Sequence, residues 1–290
     1  MVLATFAFSV MDVVMKHLSY SYPSVQVAFL RGLTALPLIV AYVLYREGRS
    51  GFKTSRIGMH VMRGLIGVAM LSAIIFAFRL MPLANVYALF FVSPFVIAAL
   101  SIPMLGEKVG IHRWLAMGVG FIGVLIMVRP GADGWVLSGL LAAAVGTLGY
   151  SINALTIRKL ADTESTAALV FHFTWVVTLG AGILAWPNWQ VIDWVGDAFW
   201  LLALGVAATV GQHFVTEAFR CHEASLVAPF EYSAMIWALL FGYYLWGDVA
   251  HPSLFVGVAL LVVAGIYTSW RESLAHPRQP PGISVHETGV

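Results

Sequence analysis

Residues 77–123 read AFRLMPLANVYALFFVSPFVIAALSIPMLGEKVGIHRWLAMGVGFIG, and residues 218–264 read AFRCHEASLVAPFEYSAMIWALLFGYYLWGDVAHPSLFVGVALLVVA. The second run restates the first. Ala77-Phe78-Arg79 returns as Ala218-Phe219-Arg220, and Gly106-Glu107 returns as Gly247-Asp248, both at a shift of 141 positions. Each copy is an apolar helix, an acidic corner and a second apolar helix. Self-similarity on this scale governs the reading of everything around it.

Outside this stretch the echo is weaker. Lys16 and Leu18 fall on Arg158 and Leu160, and Phe29 falls on Phe171, at a shift of 142. A one-residue insertion or deletion accounts for the difference. The chain is therefore expected to hold two related halves.

The composition says where those halves live. Of 290 residues, 60% are hydrophobic and 10% charged, whereas a soluble chain carries about a quarter charged residues. This points to an all-α membrane protein. Runs of about 20 apolar residues, the length that spans a bilayer, number ten. They lie at about 2–20, 24–45, 57–80, 83–104, 111–129, 134–157, 165–186, 197–219, 224–246 and 252–270. Residues 1–18 are apolar from the start with no basic leader, so they read as the first span and not as a cleavable signal. The tail, residues 271–290, carries Pro277, Pro280 and Pro281 and is expected to be a disordered cytoplasmic segment. A net charge of +2 gives no case for nucleic acid, and the lone Cys221 excludes an internal disulfide and a cysteine-based zinc site.

Ten spans divide into residues 1–131 and 132–270, five helices each. Five is odd, so the second half enters the membrane from the opposite side. The expected architecture is an inverted 5+5 repeat with a central cavity near the midplane, the plan of many secondary transporters. Lys and Arg set the orientation. With the N-terminus in the cytoplasm, the inside segments hold Arg46, Arg49, Lys53, Arg56, Lys108, Arg113, Arg158, Lys159, Arg220, Arg271 and Arg278. The outside ends then hold Lys16, Arg79 and Arg129. Both termini are expected to be cytoplasmic.

Ionisable groups within spans are costly and are functional candidates. Asp12 and Lys16 share a helical face at i and i+4. They read either as a zwitterion site, Lys16 for a carboxylate and Asp12 for an ammonium, or as a pair that satisfies itself. Arg31 and Arg63 read as snorkelling or interhelical partners. Tyr150 and Asn153 lie on one face of the sixth helix, as cavity lining or as interhelical hydrogen-bond partners. Gln212 and His213 interrupt an apolar run. His213 reads as a proton-coupling group or as a packing histidine, and His172 as packing. Glu217 is expected to pair with Arg220 at i+3. Glu231, just past Pro229, is a stronger cavity candidate. Pro94 and Pro229 are expected to kink the fourth and ninth helices, and such interruptions point to a transporter site. Around them Phe78, Tyr87, Phe90, Phe91 and Trp237 can wall a pocket for an aromatic body. Trp186, Trp189, Trp194, Trp246 and Trp270 cluster at span ends as an interfacial belt. Ala116 and Gly120 have the small-xxx-small spacing of close helix packing or dimerisation.

Lys16, Phe29-Leu30-Arg31, Ser93-Pro94, Gly106-Glu107-Lys108 and Gly247-Asp248, in that order, resemble the drug/metabolite transporter superfamily, specifically its ten-helix EamA-type exporters. The resemblance covers about residues 1–270, and within the superfamily the aromatic-rich chain looks most like the bacterial aromatic amino acid exporters. It implies export of aromatic and other neutral amino acids, with some drug-like compounds, across the cell inner membrane. Asp248-Val249 replaces the acid–lysine pair at the second corner, and Ala234-Met235 replaces the second Ser-Pro, so the corners look structural. No phosphate-binding Gly-x-x-x-x-Gly-Lys motif occurs, so a secondary carrier is expected, with no cofactor and no metal. A nucleotide-sugar or drug carrier is the alternative within the class; a phosphate-bearing cargo calls for several midplane cations, and the sequence offers Lys16 and Arg31. An intramembrane enzyme is the alternative outside it, but His222-Glu223 lacks a second His and Gly149-Tyr150-Ser151 lacks its closing Gly. The expected partners are the bilayer and a small-molecule cargo, for a monomer or a homodimer.

Overall fold

A computed structural model describes residues 1–106, 110–127, 136–221, 227–249 and 251–275. Among these residues the chain is helical with no strand. Its α-helices are α1 (Val2–Leu18), α2 (Ser24–Arg46), α3 (Ile57–Leu80), α4 (Leu83–Phe90), α5 (Ser93–Leu105), α6 (Ile111–Met127), α7 (Leu137–Leu160), α8 (Thr166–Ala185), α9 (Ala198–Cys221), α10 (Ala234–Trp246) and α11 (Pro252–Ala275). Short 3-10 turns occupy Gly48–Phe52, Trp186–Asn188 and Ala228–Ser233. In apolar surroundings the backbone must satisfy itself, and helices do so within one segment.

Six segments are long and apolar enough to cross a membrane: Ser24–Arg46, Ile57–Leu80, Leu83–Leu105, Leu137–Leu160, Thr166–Asn188 and Ala198–Cys221. Two shorter apolar helices, Trp114–Met127 and Pro252–Ala264, accompany them. This is a multi-pass helical membrane protein. Length and composition bear out six of the ten expected spans among the described residues, with two shorter apolar helices beside them. Helix α1 has 17 residues, at the short end of spanning length. The fourth expected helix is two helices, α4 and α5. At the join Val92 N turns back to Leu89 O, and Phe95 N and Val96 N both take Val92 O. Pro94 has no amide to continue the α4 ladder, and it sits in the first turn of α5, where none is needed. The ninth expected helix opens as the 3-10 turn that contains Pro229, then continues as α10. Helix α11 runs on to Ala275, past the expected end at 270; residues 276–290, the Glu107-Lys108 corner and the Arg129-Pro130-Gly131 stop lie outside the described residues.

The helices pack as cross-chain pairs: α1 on α9, α2 on α8, α3 on α7 and α6 on α11. Glycine sets how close they come. A Cβ at Gly205 on α9 would lie 2.6 Å from the Thr34 carbonyl oxygen of α2, and one at Gly32 on α2 would lie 2.0 Å from Thr178 Oγ1 of α8. Gly123 and Gly257 bring α6 and α11 backbone to backbone, each within 2.8 Å of the other's carbonyl oxygen if given a Cβ. Helices α5 and α10 both end at a left-handed glycine, Gly106 (φ 71°) and Gly247 (φ 69°). Trp186 and Trp194 are exposed beyond the end of α8.

Candidate functional site

The helix pairs leave a cavity of about 120 Å³ lined from α1, α2, α3, α4, α7, α8 and α9, with Glu231 of the 3-10 turn 228–233 at its edge. Aromatic and thioether side chains make up nearly half of its wall. Phe78 stacks near Tyr87, with ring centroids 6.4 Å apart, Phe90 tilts against Tyr150 at 5.2 Å, and Phe91 meets Tyr232 edge-on at 5.1 Å.

Two buried acids hang on tyrosines. The Tyr87 hydroxyl donates to Asp12 and receives the Ser9 hydroxyl at 3.2 Å. The Tyr150 hydroxyl donates to Glu231 Oε1 at 2.9 Å, and Ser93 Oγ donates to Oε2 at 2.8 Å. The helix break positions this last contact. Ser93 opens α5 at the interruption and faces a turn that is itself interrupted, so both groups reach the cavity from irregular backbone.

Two buried cations complete the lining. Arg31 donates from Nε to Met11 Sδ and from Nη2 to Gln212 Oε1, both at 3.2 Å, and its charge lies within electrostatic reach of Asp12. Arg63 donates from Nη1 to the Leu169 carbonyl at 2.9 Å, and its guanidinium lies 4.8 Å from the centre of the Phe173 ring.

The structure brings Asp12, Phe78, Tyr87, Phe90, Phe91, Tyr150, Asn153, Gln212 and Glu231 to this one cavity. Asn153 donates to the Gly149 carbonyl and leaves its Oδ1 without a partner. Three of the expected residues lie elsewhere. His213 packs edge-on against Tyr42, centroids 5.0 Å apart, and Trp237 packs against Phe6 at 4.8 Å. Lys16 turns to the far end of α1, where it donates to the Met81 carbonyl at 3.2 Å, lies 3.9 Å from Asp248 and sits over the Trp246 ring. Asp12 and Lys16 therefore do not pair with each other. One helical turn along a shared face was enough to send them to different neighbours. Nor do Glu217 and Arg220 close their expected ion pair: Glu217 takes the hydroxyl of Thr166 and the thiol of Cys221.

Arg31 and Arg63 are the cavity residues that the sequence reading gave to structural roles. A lone helix does not reveal whether an arginine reaches out to the interface or inward. Each lies about two turns from the start of its apolar helix, close enough to snorkel, so the sequence held no signal that told the two directions apart.

Comparisons with known proteins place the chain among transporters. The EamA-like transporter family model matches residues 1–129. The chain is 31% identical over 272 residues to the pseudopaline exporter CntI of Pseudomonas aeruginosa, covering 92% of this chain and 94% of that one. It is 29% identical to a riboflavin transporter of Vibrio cholerae, covering 93% and 92%, and 23% identical to an S-adenosylmethionine uptake transporter of Rickettsia bellii, covering 91% and 90%. A solved crystal structure shares the fold at a TM-score of 0.71 over 94% of this chain and 98% of the other, with 18% identity. A cavity of aromatics, acids and arginines enclosed by helices from both ends of the chain is thus found in a protein that belongs to the EamA-like transporters of the drug/metabolite transporter superfamily.

Proposed function

We propose that this protein is a secondary transporter that exports aromatic and other neutral amino acids, or amphipathic metabolites of similar chemistry, by alternating access to the cavity. The observation that carries the reading is the convergence itself. Side chains from α1, α2, α3, α4, α7 and α9 and from the turn 228–233 place aromatic faces, two acids and two arginines around one space. An amphipathic solute needs both kinds of contact, an apolar wall for its body and a few placed polar groups for its head.

Alternating access follows from an inverted repeat, and the packing supports one. If α1–α6 and the segment from α7 to α11 are two copies, the α1–α9 contact maps onto the α7–α3 contact. The α2–α8 and α6–α11 contacts map onto themselves. The starts and ends of α5 recur at those of α10 after 141 residues, as do the starts of α3 and α6 at those of α9 and α11. Both termini are cytoplasmic in this arrangement, and the cell inner membrane is the site of action.

A broader metabolite carrier is the second reading, favoured by relatives whose named cargoes are pseudopaline, riboflavin and S-adenosylmethionine. Liposomes holding the purified protein separate the two. Saturable flux of labelled Phe and Trp supports the amino acid reading. Flux of riboflavin or S-adenosylmethionine alone overturns it in favour of the broader carrier. Flux of none of them overturns both.

A further inference from the structure

The four charged residues of the cavity are not equivalent. Asp12 and Arg31 do not close to ion-pair distance, but each feels the other's charge, and each has further partners in the protein, Asp12 the Tyr87 hydroxyl and Arg31 Gln212 and Met11. Arg63 and Glu231 have no countercharge. Arg63 is 1% exposed, and no acid among the described residues comes within ion-pair distance of it. One nitrogen reaches a backbone carbonyl, and Nε has no hydrogen-bond partner at all. Glu231 is 6% exposed and is held by two neutral hydroxyls, with no cation among the described residues at ion-pair distance.

A buried ion without a partner costs several kcal/mol. Ions of this sort in a membrane protein face a pathway, and what they lack tells what they receive. A guanidinium with a free donor fits a carboxylate, and its planar fork suits that partner above others. A carboxylate held by two hydroxyls keeps lone pairs for an ammonium. The two groups come from opposite parts of the chain, α3 and the turn before α10, and both face the same cavity.

We propose that Arg63 and Glu231 are the pair that reads the cargo's charge, Arg63 taking its carboxylate and Glu231 its ammonium. The cargo class is then an amphipathic zwitterion whose apolar body rests on the cavity aromatics between the two heads. The inference builds on the transporter reading above and makes it more specific. It moves the zwitterion contacts from Asp12 and Lys16 to Arg63 and Glu231, because Asp12 takes the Tyr87 hydroxyl and has the Arg31 charge nearby, and Lys16 lies outside the cavity. A cargo with only one of the two heads leaves the other protein ion buried and unpaired, so it is rejected on charge even when its body fits.

The test uses three probes with one body: L-phenylalanine, phenethylamine without the carboxylate, and 3-phenylpropionate without the amine. Counterflow into liposomes is measured for the wild type, Arg63→Gln and Glu231→Gln. Wild type is expected to prefer phenylalanine to either fragment by about tenfold or more. Arg63→Gln is expected to collapse the preference over phenethylamine, and Glu231→Gln the preference over phenylpropionate. Arg63→Lys keeps part of the first preference. Thermal melting of each variant reports folding separately. Equal wild-type flux of all three probes, or variants that lower all three alike, overturns the charge pair and leaves the carrier reading standing. Wild-type flux of none overturns the charge pair together with the amino acid reading.

Discussion

Glu164 shows how one side chain can tie two ends of the chain together. Burial alone pushes its carboxyl up. The Thr54 hydroxyl, the Ser55 amide, the charge of nearby His60 and the Ser55 hydroxyl outweigh that and hold it below the ordinary value of about 4.5. A carboxylate whose folded value is depressed adds stability above its unfolded value, and this contribution is lost as pH falls through the folded one. Melting of the wild type is therefore expected to drop as pH falls below about 4.5, and Glu164→Gln to lower stability at neutral pH and flatten that drop. A variant that melts with the wild-type pH profile would show that the Thr54–Ser55 cradle is energetically idle. Lys16 belongs to the same scale. Its spacing from Asp12 was legible in the sequence, but its true partners were not, because Met81 and Asp248 are 65 and 232 positions away. Side-chain pairing across the fold depends on which faces meet, and periodicity within one helix does not contain that.

Helices here are spaced by what glycine permits. The Thr34 carbonyl cannot move from under Gly205 without shifting α2, so Gly205→Ala is expected to cost about 1–3 kcal/mol, read as a lower melting temperature in detergent. Gly58 has open space where its Cβ would go, and Gly58→Ala is the control, expected to melt as the wild type does. At the corners the constraint is conformational. Gly106 and Gly247 adopt positive φ with no neighbour near a would-be Cβ. Gly106→Ala and Gly247→Ala should each cost about 1–2 kcal/mol, through backbone strain alone. The corner glycines were visible as a repeated Gly-acid dipeptide, and the breaks at Pro94 and Pro229 as prolines within apolar runs. The difference between a kink and two separate helices was not visible, since it depends on how the turn after Phe90 closes its own hydrogen bonds.

At the scale of the whole molecule, contacts of Lys16 tie α1 to the ends of α3 and α10. Lys16 bonds the end of α3, faces Asp248 past the end of α10 and lies over Trp246. Arg158, which falls on Lys16 in the repeat, donates to the Arg220 carbonyl at 3.1 Å. Removing the Lys16 latch is expected to open the cavity at that end of α1. Ile74, a cavity residue on α3, supplies the reporter. With Cys221→Ser and Ile74→Cys in place, Lys16→Gln should raise labelling by a membrane-impermeant maleimide severalfold from one face of the membrane. Unchanged labelling would mean the latch does not control access. The family and the helical membrane fold could be read from the chain because they rest on composition and ordered motifs. The cavity's two arginines could not, because they depend on which way each helix faces.

The acid–tyrosine bonds carry a last consequence. In one half the acid sits on α1 and the tyrosine on α4; in the other the tyrosine sits on α7 and the acid on the turn before α10. The helices correspond, but donor and acceptor have traded places. Two identical halves exchanging shapes would give end states of equal energy and an even resting population. These halves are not identical, and a difference of about 1 kcal/mol, the worth of one hydrogen bond, tilts that balance about fivefold. If the protein alternates access as proposed, its empty form is expected to have a preferred resting face, set by the chemistry of its lining.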